Sequence, residues 1–463
     1  MTTAELIRRG ARRYGARTAV LCGEEKLTFA EVDELSNRIA NALLARGVDR
    51  VGLLLGNGLH SIPIDFACAK AGIARVPLNP RLAPAERDAI VDLAGVELVV
   101  TEDDLAALAA HPDTREPPVT PQPDDTILLL ATSGTTGRLK LVRHTQRSWV
   151  GITVNILANL VDPQPDDVML HAASLIHASG TFTLPFWLRG AASAVLPGFV
   201  PGEFLDAIDR HRVTHTNVVP TMLGALLQED AHELPTLRTI VYGASPAPRA
   251  LVERSIERFG PILVQYYGQT EAPLCISVLR PEDHAGERFL SCGFPSVEAE
   301  VRLDDETSEI LVRAPFTATG YHGDDELDRQ TFLPDGWVRT RDVGRFDEEG
   351  YLYLVDRTSD MIVTGGYNVY PREVEDALMS HASVRECVVV GAPDDRWVET
   401  VTAFVVADGA TEEELIAHCR ERLAAYKAPT SIRFVDEVPK SPVGKLLRRA
   451  LRDPLWEGRE RPI

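Results

Sequence analysis

The chain is expected to fold as a layered α/β protein, with a large N-terminal body of α/β subdomains, a small β-rich subdomain after it, and a small α+β C-terminal domain. Three observations predict this. Apolar runs such as "VGLLLGNG" (51–58), "VELVV" (96–100), "TILLLA" (126–131), "TIVYGAS" (239–245) and "PILVQYYG" (261–268) alternate with helical patterns, as largely parallel strands covered on both faces do. From about residue 296 the runs shorten and alternate with polar residues, the pattern of half-exposed antiparallel strands. Finally, 463 residues exceed what one compact core organises.

Each element has its local reason. The opening "MTTAELIRRGARRYG" is an amphipathic, arginine-bearing helix without the apolar centre of a secretory signal. Residues 28–47, "TFAEVDELSNRIANALLARG", carry apolar side chains at helical spacing between a threonine cap and a terminal glycine. "HSIPIDFACAKAGIARVPLNP" (60–80) reads as a helix and then a short strand closed by proline. Strands follow at "VEAEVRL" (297–303), "SEILVRA" (308–314), "GWVRTRDVGRF" (336–346) and "GYLYLVDR" (350–357). Helices at "PREVEDALMSH" (371–381) and "ATEEELIAHCRERLAAY" (410–426) surround strands "ECVVVGA" (386–392) and "VTAFVVA" (401–407). The sequence shows no low-complexity linker, so a hinge must be short and ordered, and "DRTSDM" (356–361) is the candidate. The expected division is a body at 1–356, a hinge at 357–360 and a C-terminal domain at 361–463.

Composition narrows the function. With 44% hydrophobic and 25% charged residues the chain is an ordinary globular protein. A net charge of −20 lacks the basic footprint of a nucleic-acid binder. The cysteines at 22, 68, 275, 292, 387 and 419 include no pair at metal-ligand spacing, so free thiols in a reducing compartment are expected. No apolar run approaches the ~20 residues of a membrane span, and a cytoplasmic protein is expected.

One stretch carries chemistry on its face. "TSGTTGRLK" (132–140) follows the apolar run "TILLLA", and a strand leading into a turn rich in glycine and hydroxyls offers N–H and O–H donors to phosphate oxygens. It lacks the G-x-x-x-x-G-K-[ST] spacing of the nucleotide P-loop. By itself it also fits a flexible surface loop. Its company decides: "YGQTE" (267–271), "GWVRTRD" (336–342), "DRTSDMIVTGGYNVYPREVE" (356–375) and "PKSPVGK" (439–445) follow in order.

Together these five segments resemble the adenylate-forming superfamily of acyl- and aryl-CoA ligases, peptide-synthetase adenylation domains and luciferases. The resemblance spans almost the whole chain and is closest to a stand-alone acyl- or aryl-CoA ligase. It implies ATP-dependent activation of a carboxylic acid to acyl-AMP with release of pyrophosphate, then acyl transfer to the thiol of coenzyme A, with Mg²⁺ as cofactor. By resemblance, Thr132, Ser133, Gly134, Thr135, Thr136, Gly137 and Lys140 fold over the phosphates. Gly243, Ala244 and Ser245 read the adenine edge, and Tyr267 with Gly268 flanks the base. Thr270 binds the α-phosphate, Glu271 holds Mg²⁺, and Asp342 and Arg357 hold the ribose. Lys445 clamps the adenylating state, Asp360 is the hinge of a mobile C-terminal domain, and Gly365 and Gly366 line the CoA tunnel. His177, in "HASG", borders the acyl site and shifts between half-reactions.

The resemblance also implies an acid pocket of His177, Ala178, Gly180, Tyr242, Gly243, Gly268, Ala272 and Pro273, small or aromatic and without a cation. That suits an aryl or medium-chain monocarboxylic acid. The sequence departs from the family's habit at Leu139 in place of proline, at Leu141 and Arg341 in place of glycine, and in "YGASP", where two glycines are more usual. The alternatives are an enzyme that loads a carrier protein in trans or forms an amide, a luciferase-like oxygenase, and an inactive nucleotide-binding relative.

Overall fold

The computed structural model describes residues 1–133, 139–175, 178–230, 233–245, 247–357, 360–364, 367–394, 397–440 and 446–457. Contacts divide the chain into two compact units, Met1–Arg302 with Leu311–Thr340, and Leu303–Ile310 with Arg341–Ile463.

The first unit is built on two sheets. The larger runs, edge to edge, through Phe294–Pro295, Ala272–Leu279, Leu263–Gln269, Thr239–Gly243, His215–Val218, Val168–His171, Ala192–Val195, Thr18–Cys22 and Glu25–Thr28. Its centre is parallel and its edges antiparallel. The smaller sheet runs through Leu98–Val100, Arg50–Leu53, Ala74–Pro77, Thr126–Ser133 and Leu139–Thr145. The expected alternation of apolar runs and helices is what threads these strands, because a parallel neighbour needs a crossover that helices supply.

Helices Thr3–Tyr14, Phe29–Leu44, Ser61–Ala71, Gln146–Asn159 and Thr183–Arg189 pack on one another and touch strands of both sheets. Thr2 and Thr28 cap the first two through their hydroxyls, with Glu5 and Glu31 bonding back to the cap nitrogens. Trp187 is the hub of this layer: its ring lies 4.2 Å from Phe29 and 4.9 Å from Phe66 between centroids, and its indole N–H donates to the Ile7 carbonyl at 2.8 Å. Gly10 meets the same indole so closely that a Cβ there would lie 2.1 Å from its nitrogen. Gln146 secures the first helix from the other side, accepting from the Ala4 N–H at 3.2 Å and, through its carbonyl, from the Thr3 hydroxyl at 3.0 Å.

In the second unit, strands Tyr367–Val369, Ile362–Thr364, Val398–Ala407 and Val384–Asp394 form an antiparallel run, and Ser431–Phe434 adds in parallel to Val398–Ala407. Helices Pro371–Met379 and Glu412–Arg420 cover one face, with Val374, Leu378, Val389, Val401, Val405, Leu415 and Cys419 in the core. The second helix stops six residues short of the stretch expected from sequence, whose end from 421 to 426 is irregular turns and a bend. Strands Val338–Phe346 and Leu352–Arg357 pair antiparallel with Asp342 opposite Arg357. The contacts group this pair from Arg341 onward with the C-terminal residues, whereas the sequence assigns it to the body.

Candidate functional site

The strand Leu139–Thr145 organises the site. It pairs antiparallel with Thr126–Ser133, with Ser133 opposite Leu139, Thr132 opposite Lys140 and Ala131 opposite Leu141. Leu141 is fully buried among Val76, Leu78, Ile90 and Leu129, so the leucine, where the resemblance leads one to expect glycine, serves the core. Side chains alternate along a strand, which puts Lys140, Val142 and His144 on one face.

That face meets two segments. Residues 318–322 run beside the strand: the Arg143 N–H donates to the Gly320 carbonyl at 2.8 Å, the Thr319 N–H to Arg143 at 2.9 Å, and the His322 N–H to Leu141 at 2.8 Å. This lays Tyr321 alongside Lys140 and Val142. The turn between strands Leu263–Gln269 and Ala272–Leu279 brings in Thr270 and Glu271. Glu271 Oε1 accepts from Lys140 Nζ at 2.6 Å and from the Tyr321 hydroxyl at 2.7 Å, while Lys140 Nζ is 2.9 Å from the same hydroxyl.

Glu271 is 6% exposed. Burial acts to raise its pKa, but the charge of Lys140 and the hydrogen bonds from Lys140 and Tyr321 outweigh it, and the net shift is downward. The buried carboxylate is therefore ionised at neutral pH. Its backbone is held as well, since its carbonyl accepts the Ala318 N–H at 2.8 Å. His144 holds the preceding residue: its Nε2 lies 2.9 Å from the Thr270 carbonyl, and because a carbonyl only accepts, Nε2 carries the proton. Burial depresses the His144 pKa to about 4, so the ring is neutral.

The other expected residues fall as follows. The Thr132 hydroxyl is buried and has no hydrogen-bond partner among the described residues. Tyr267 is 7% exposed and opposite Ser277. Gly243 and Gly268 have no room for a side chain: a Cβ would lie 2.5 Å from the Tyr266 oxygen in the first case and 2.4 Å from the Leu274 oxygen in the second. Ala244 holds φ 66°, the left-handed conformation, next to Ser245. Tyr242 is fully buried, its hydroxyl 2.9 Å from His284 Nε2 and donating to Gln265 Oε1 at 3.1 Å, so its polar end is engaged within the protein. Ala178 and Gly180 belong to a short 3₁₀ turn, Ala178–Phe182. Ala272 is buried and Pro273 half-buried, directly after Glu271. Gly134, Thr135, Thr136, Gly137, His177, Gly365, Gly366 and Lys445 lie outside the described residues, as do the side chains of Ser133 and Arg357.

In the second unit Asp342 is 4% exposed. Arg341 before it has φ 61°, and its N–H donates to Glu309 Oε1 at 2.8 Å. Asp360 sits between two cations, 3.4 Å from Arg448 Nε and 3.6 Å from Arg452 Nη1, and Arg448 also pairs with Glu375.

Sequence reasoning found Lys140 and Glu271 separately but missed their meeting, and it missed Tyr321 and His144 altogether. The alternation in "LKLVRHT" marks Lys140 and His144 as one face. Nothing local marks Tyr321, whose partners lie 181 and 50 residues away.

Residues 7–322 match the AMP-binding enzyme family, and residues 373–445 match the AMP-binding enzyme C-terminal domain. The chain is 38% identical to a feruloyl-CoA synthase of an Amycolatopsis species, over 96% of this chain and 97% of that one. It is 34% identical to the fatty acid–[acyl-carrier-protein] ligase ScoC of Streptomyces coeruleorubidus, over 96% and 95%. Among solved structures, o-succinylbenzoate CoA synthetase (MenE) of Bacillus subtilis, in complex with its acyl-adenylate intermediate, superposes with a TM-score of 0.89 at 32% identity, covering 97% of this chain and 98% of that one.

Proposed function

This chain belongs to the AMP-binding enzyme family and is an AMP-forming acid–thiol ligase, and we propose that it acts on an aryl or medium-chain monocarboxylic acid. The reaction uses ATP, Mg²⁺ and coenzyme A. A carboxylate oxygen attacks the α-phosphorus of ATP, pyrophosphate leaves, and the thiolate of CoA then attacks the acyl carbon of the acyl-AMP and expels AMP.

The observation that carries the site reading is the buried, ionised Glu271 beside the Thr132 hydroxyl's strand. The Thr132 hydroxyl and the Lys140 ammonium on one hairpin, with the Glu271 carboxylate brought to Lys140 from another, suit a magnesium triphosphate, since Mg²⁺ takes hard oxygen ligands and phosphate takes the donors. Bound Mg²⁺ would neutralise phosphate charge, with Glu271 as its protein ligand. Lys140, Thr132, Ser133, Gly134, Thr135, Thr136 and Gly137 would hold the phosphates. His144 and Tyr321 keep the Thr270–Glu271 turn and its carboxylate aimed. Tyr267, Gly268 and the Gly243–Ser245 segment would take the base, and Asp342 and Arg357 the ribose. Lys445 would offset charge developing in the adenylation step, Asp360 would be the hinge between the parts 1–356 and 361–463, and Gly365 and Gly366 would admit the thiol.

Support for the acid comes from the small residues Ala178, Gly180, Ala272 and Pro273 and from the name of the feruloyl-CoA synthase relative. ScoC shows by its name that a carrier protein can be the acceptor in a relative at similar identity. A cytoplasmic location fits six free cysteines and the lack, among the described residues, of a helix long and apolar enough to cross a membrane. Acid-dependent pyrophosphate release is to be measured with ferulate, benzoate, octanoate and malonate, with CoA or a phosphopantetheinylated carrier as acceptor. Turnover is expected with the first three and CoA; a preference for malonate, or for an amino acid added to the same panel, would overturn the assignment of the acid. Glu271→Gln is expected to weaken Mg²⁺-dependent pyrophosphate release. Lys445→Ala is expected to reduce acyl-AMP formation by roughly a hundredfold or more while sparing transfer from supplied acyl-AMP to CoA.

A further inference from the structure

Behind the Ala178–Phe182 turn lies a chain of four buried polar side chains that the reaction does not use directly. Three come from adjacent strands of the large sheet: Ser193 from Ala192–Val195, His171 from the end of Val168–His171, and Asn217 from His215–Val218. The fourth, Ser179, comes from the turn itself. The Ser193 oxygen is 3.1 Å from His171 Nε2, His171 Nδ1 is 2.9 Å from the Ser179 oxygen, and the Ser179 hydroxyl donates to Asn217 Oδ1 at 2.9 Å. Exposure is 3% at Ser193, 0% at His171, 1% at Ser179 and 4% at Asn217.

The donors can be assigned in order. An amide oxygen only accepts, so the single Ser179 proton points to Asn217. Its oxygen then accepts from His171 Nδ1–H, which leaves Nε2 to accept from the Ser193 hydroxyl. The chain runs in one direction with its imidazole neutral, and every shared proton has one place to be. In a buried interior such a set is rigid, because displacing one member strands another without a partner.

The turn it holds has little other freedom. A Cβ at Gly180 would lie 2.0 Å from the Leu175 carbonyl oxygen, and the Thr181 and Thr183 hydroxyls close on the carbonyls of Ala178 and Gly180 at 2.5 Å and 2.8 Å. The turn also follows the carboxyl end of a central parallel strand, the edge at which open α/β sheets bind ligands. We infer that His171, Ser179 and Asn217 are positioning residues for acid selection: they pin the Ala178–Gly180 wall to the sheet, so that the acid is chosen by a wall that does not yield. This rests on the proposal that Ala178 and Gly180 border the acid.

The test is steady-state pyrophosphate release by Ser179→Ala, Ser179→Thr and the parent enzyme across benzoate, ferulate and octanoate, with KM measured for each acid and for ATP. Ser179→Ala is expected to change acid KM by roughly tenfold or more and to reorder the acids, with ATP KM held within about twofold. Ser179→Thr, which keeps the hydroxyl, is expected to restore the parent order. A purely structural role would lower kcat for all acids alike through the active fraction and move no KM, and that outcome overturns the inference. Should Ser179→Ala not fold, Asn217→Ala leaves the His171–Ser179 bond in place and reads the same KM ratio, with the same two outcomes. Failure of the parent enzyme to activate any of these acids would instead defeat the assignment of the acid.

Discussion

Arg341 and Ala244 adopt a backbone conformation that glycine enters freely and other residues enter at a cost of about 1 kcal/mol. Both stand where the family resemblance leads one to expect glycine, so these two departures are places where this chain carries local strain. Ala244→Gly is expected to raise stability by about 0.5–1 kcal/mol, read as a higher urea midpoint at unchanged slope. A lowered midpoint would mean that the freedom glycine adds to the unfolded chain outweighs the strain. At Glu271 the balance is electrostatic. Tyr321→Phe removes a hydrogen bond to a charged, buried acceptor and is expected to destabilise by about 1.5–3 kcal/mol in the same assay. The residue types of this site were legible in sequence because the chemistry selects them. Their partners were not, since Tyr321 reaches Glu271 through pairing between residues 318–322 and a strand far away in the chain.

At the scale of elements, the sequence was most informative where a cap or an apolar period speaks. Thr28 closes one end of a helix expected over 28–47 and observed over Phe29–Leu44. The strands expected at 96–100, 239–245 and 261–268 appear as Leu98–Val100, Thr239–Gly243 and Leu263–Gln269. It was least informative about ends. The stretch 410–426 has helical composition throughout, yet the helix stops at Arg420, because helix termini answer to tertiary contacts more than to propensity. Packing between helices was invisible, and Gly10 shows why. Its reason is the Trp187 indole, and no local pattern announces a contact across 177 residues. Gly10→Ala is expected to cost about 1–3 kcal/mol by overpacking, seen as a lower melting temperature, whereas a glycine-to-alanine change in a roomy helix would raise it.

At the scale of the whole molecule, buried histidines set the response to acid. Burial depresses the pKa of His144 to about 4, of His171 to about 3 and of His215 to about 4. The unfolded chain takes up these protons near pH 6.5, so it binds more protons than the native state below that pH, and acid favours unfolding. Their contribution to stability is complete above about pH 6.5 and is lost as the pH falls toward 4, at up to about 1.4 kcal/mol per pH unit for each ring. Unfolding midpoints measured from pH 8 to 4 are expected to stay level to about 6.5 and then fall steeply. His171→Asn should flatten the fall by one ring's share, and an unchanged slope would show that His171 takes its proton in the folded state. Charge and composition gave the sequence reader no access to this behaviour, since a histidine's pKa depends on the water it has lost.

The seat of the first helix has a consequence for how the chain is made. Its anchors are Gln146 and Trp187, and the strand that follows it, Thr18–Cys22, pairs with Ala192–Val195. On the ribosome the opening two dozen residues therefore emerge together with the strand Glu25–Thr28 and the helix Phe29–Leu44 that they also touch, but long before Gln146, Trp187 and Ala192–Val195. At ordinary synthesis rates they wait on the order of ten seconds or longer for those later partners, with the side of the amphipathic helix that meets Gln146 and Trp187 uncovered. Nascent chains stalled before Trp187 has left the exit tunnel should leave this segment open to protease, and chains stalled well past Val195 should protect it. The first helix thus gains its last anchors only when residues far along the chain have folded back onto it.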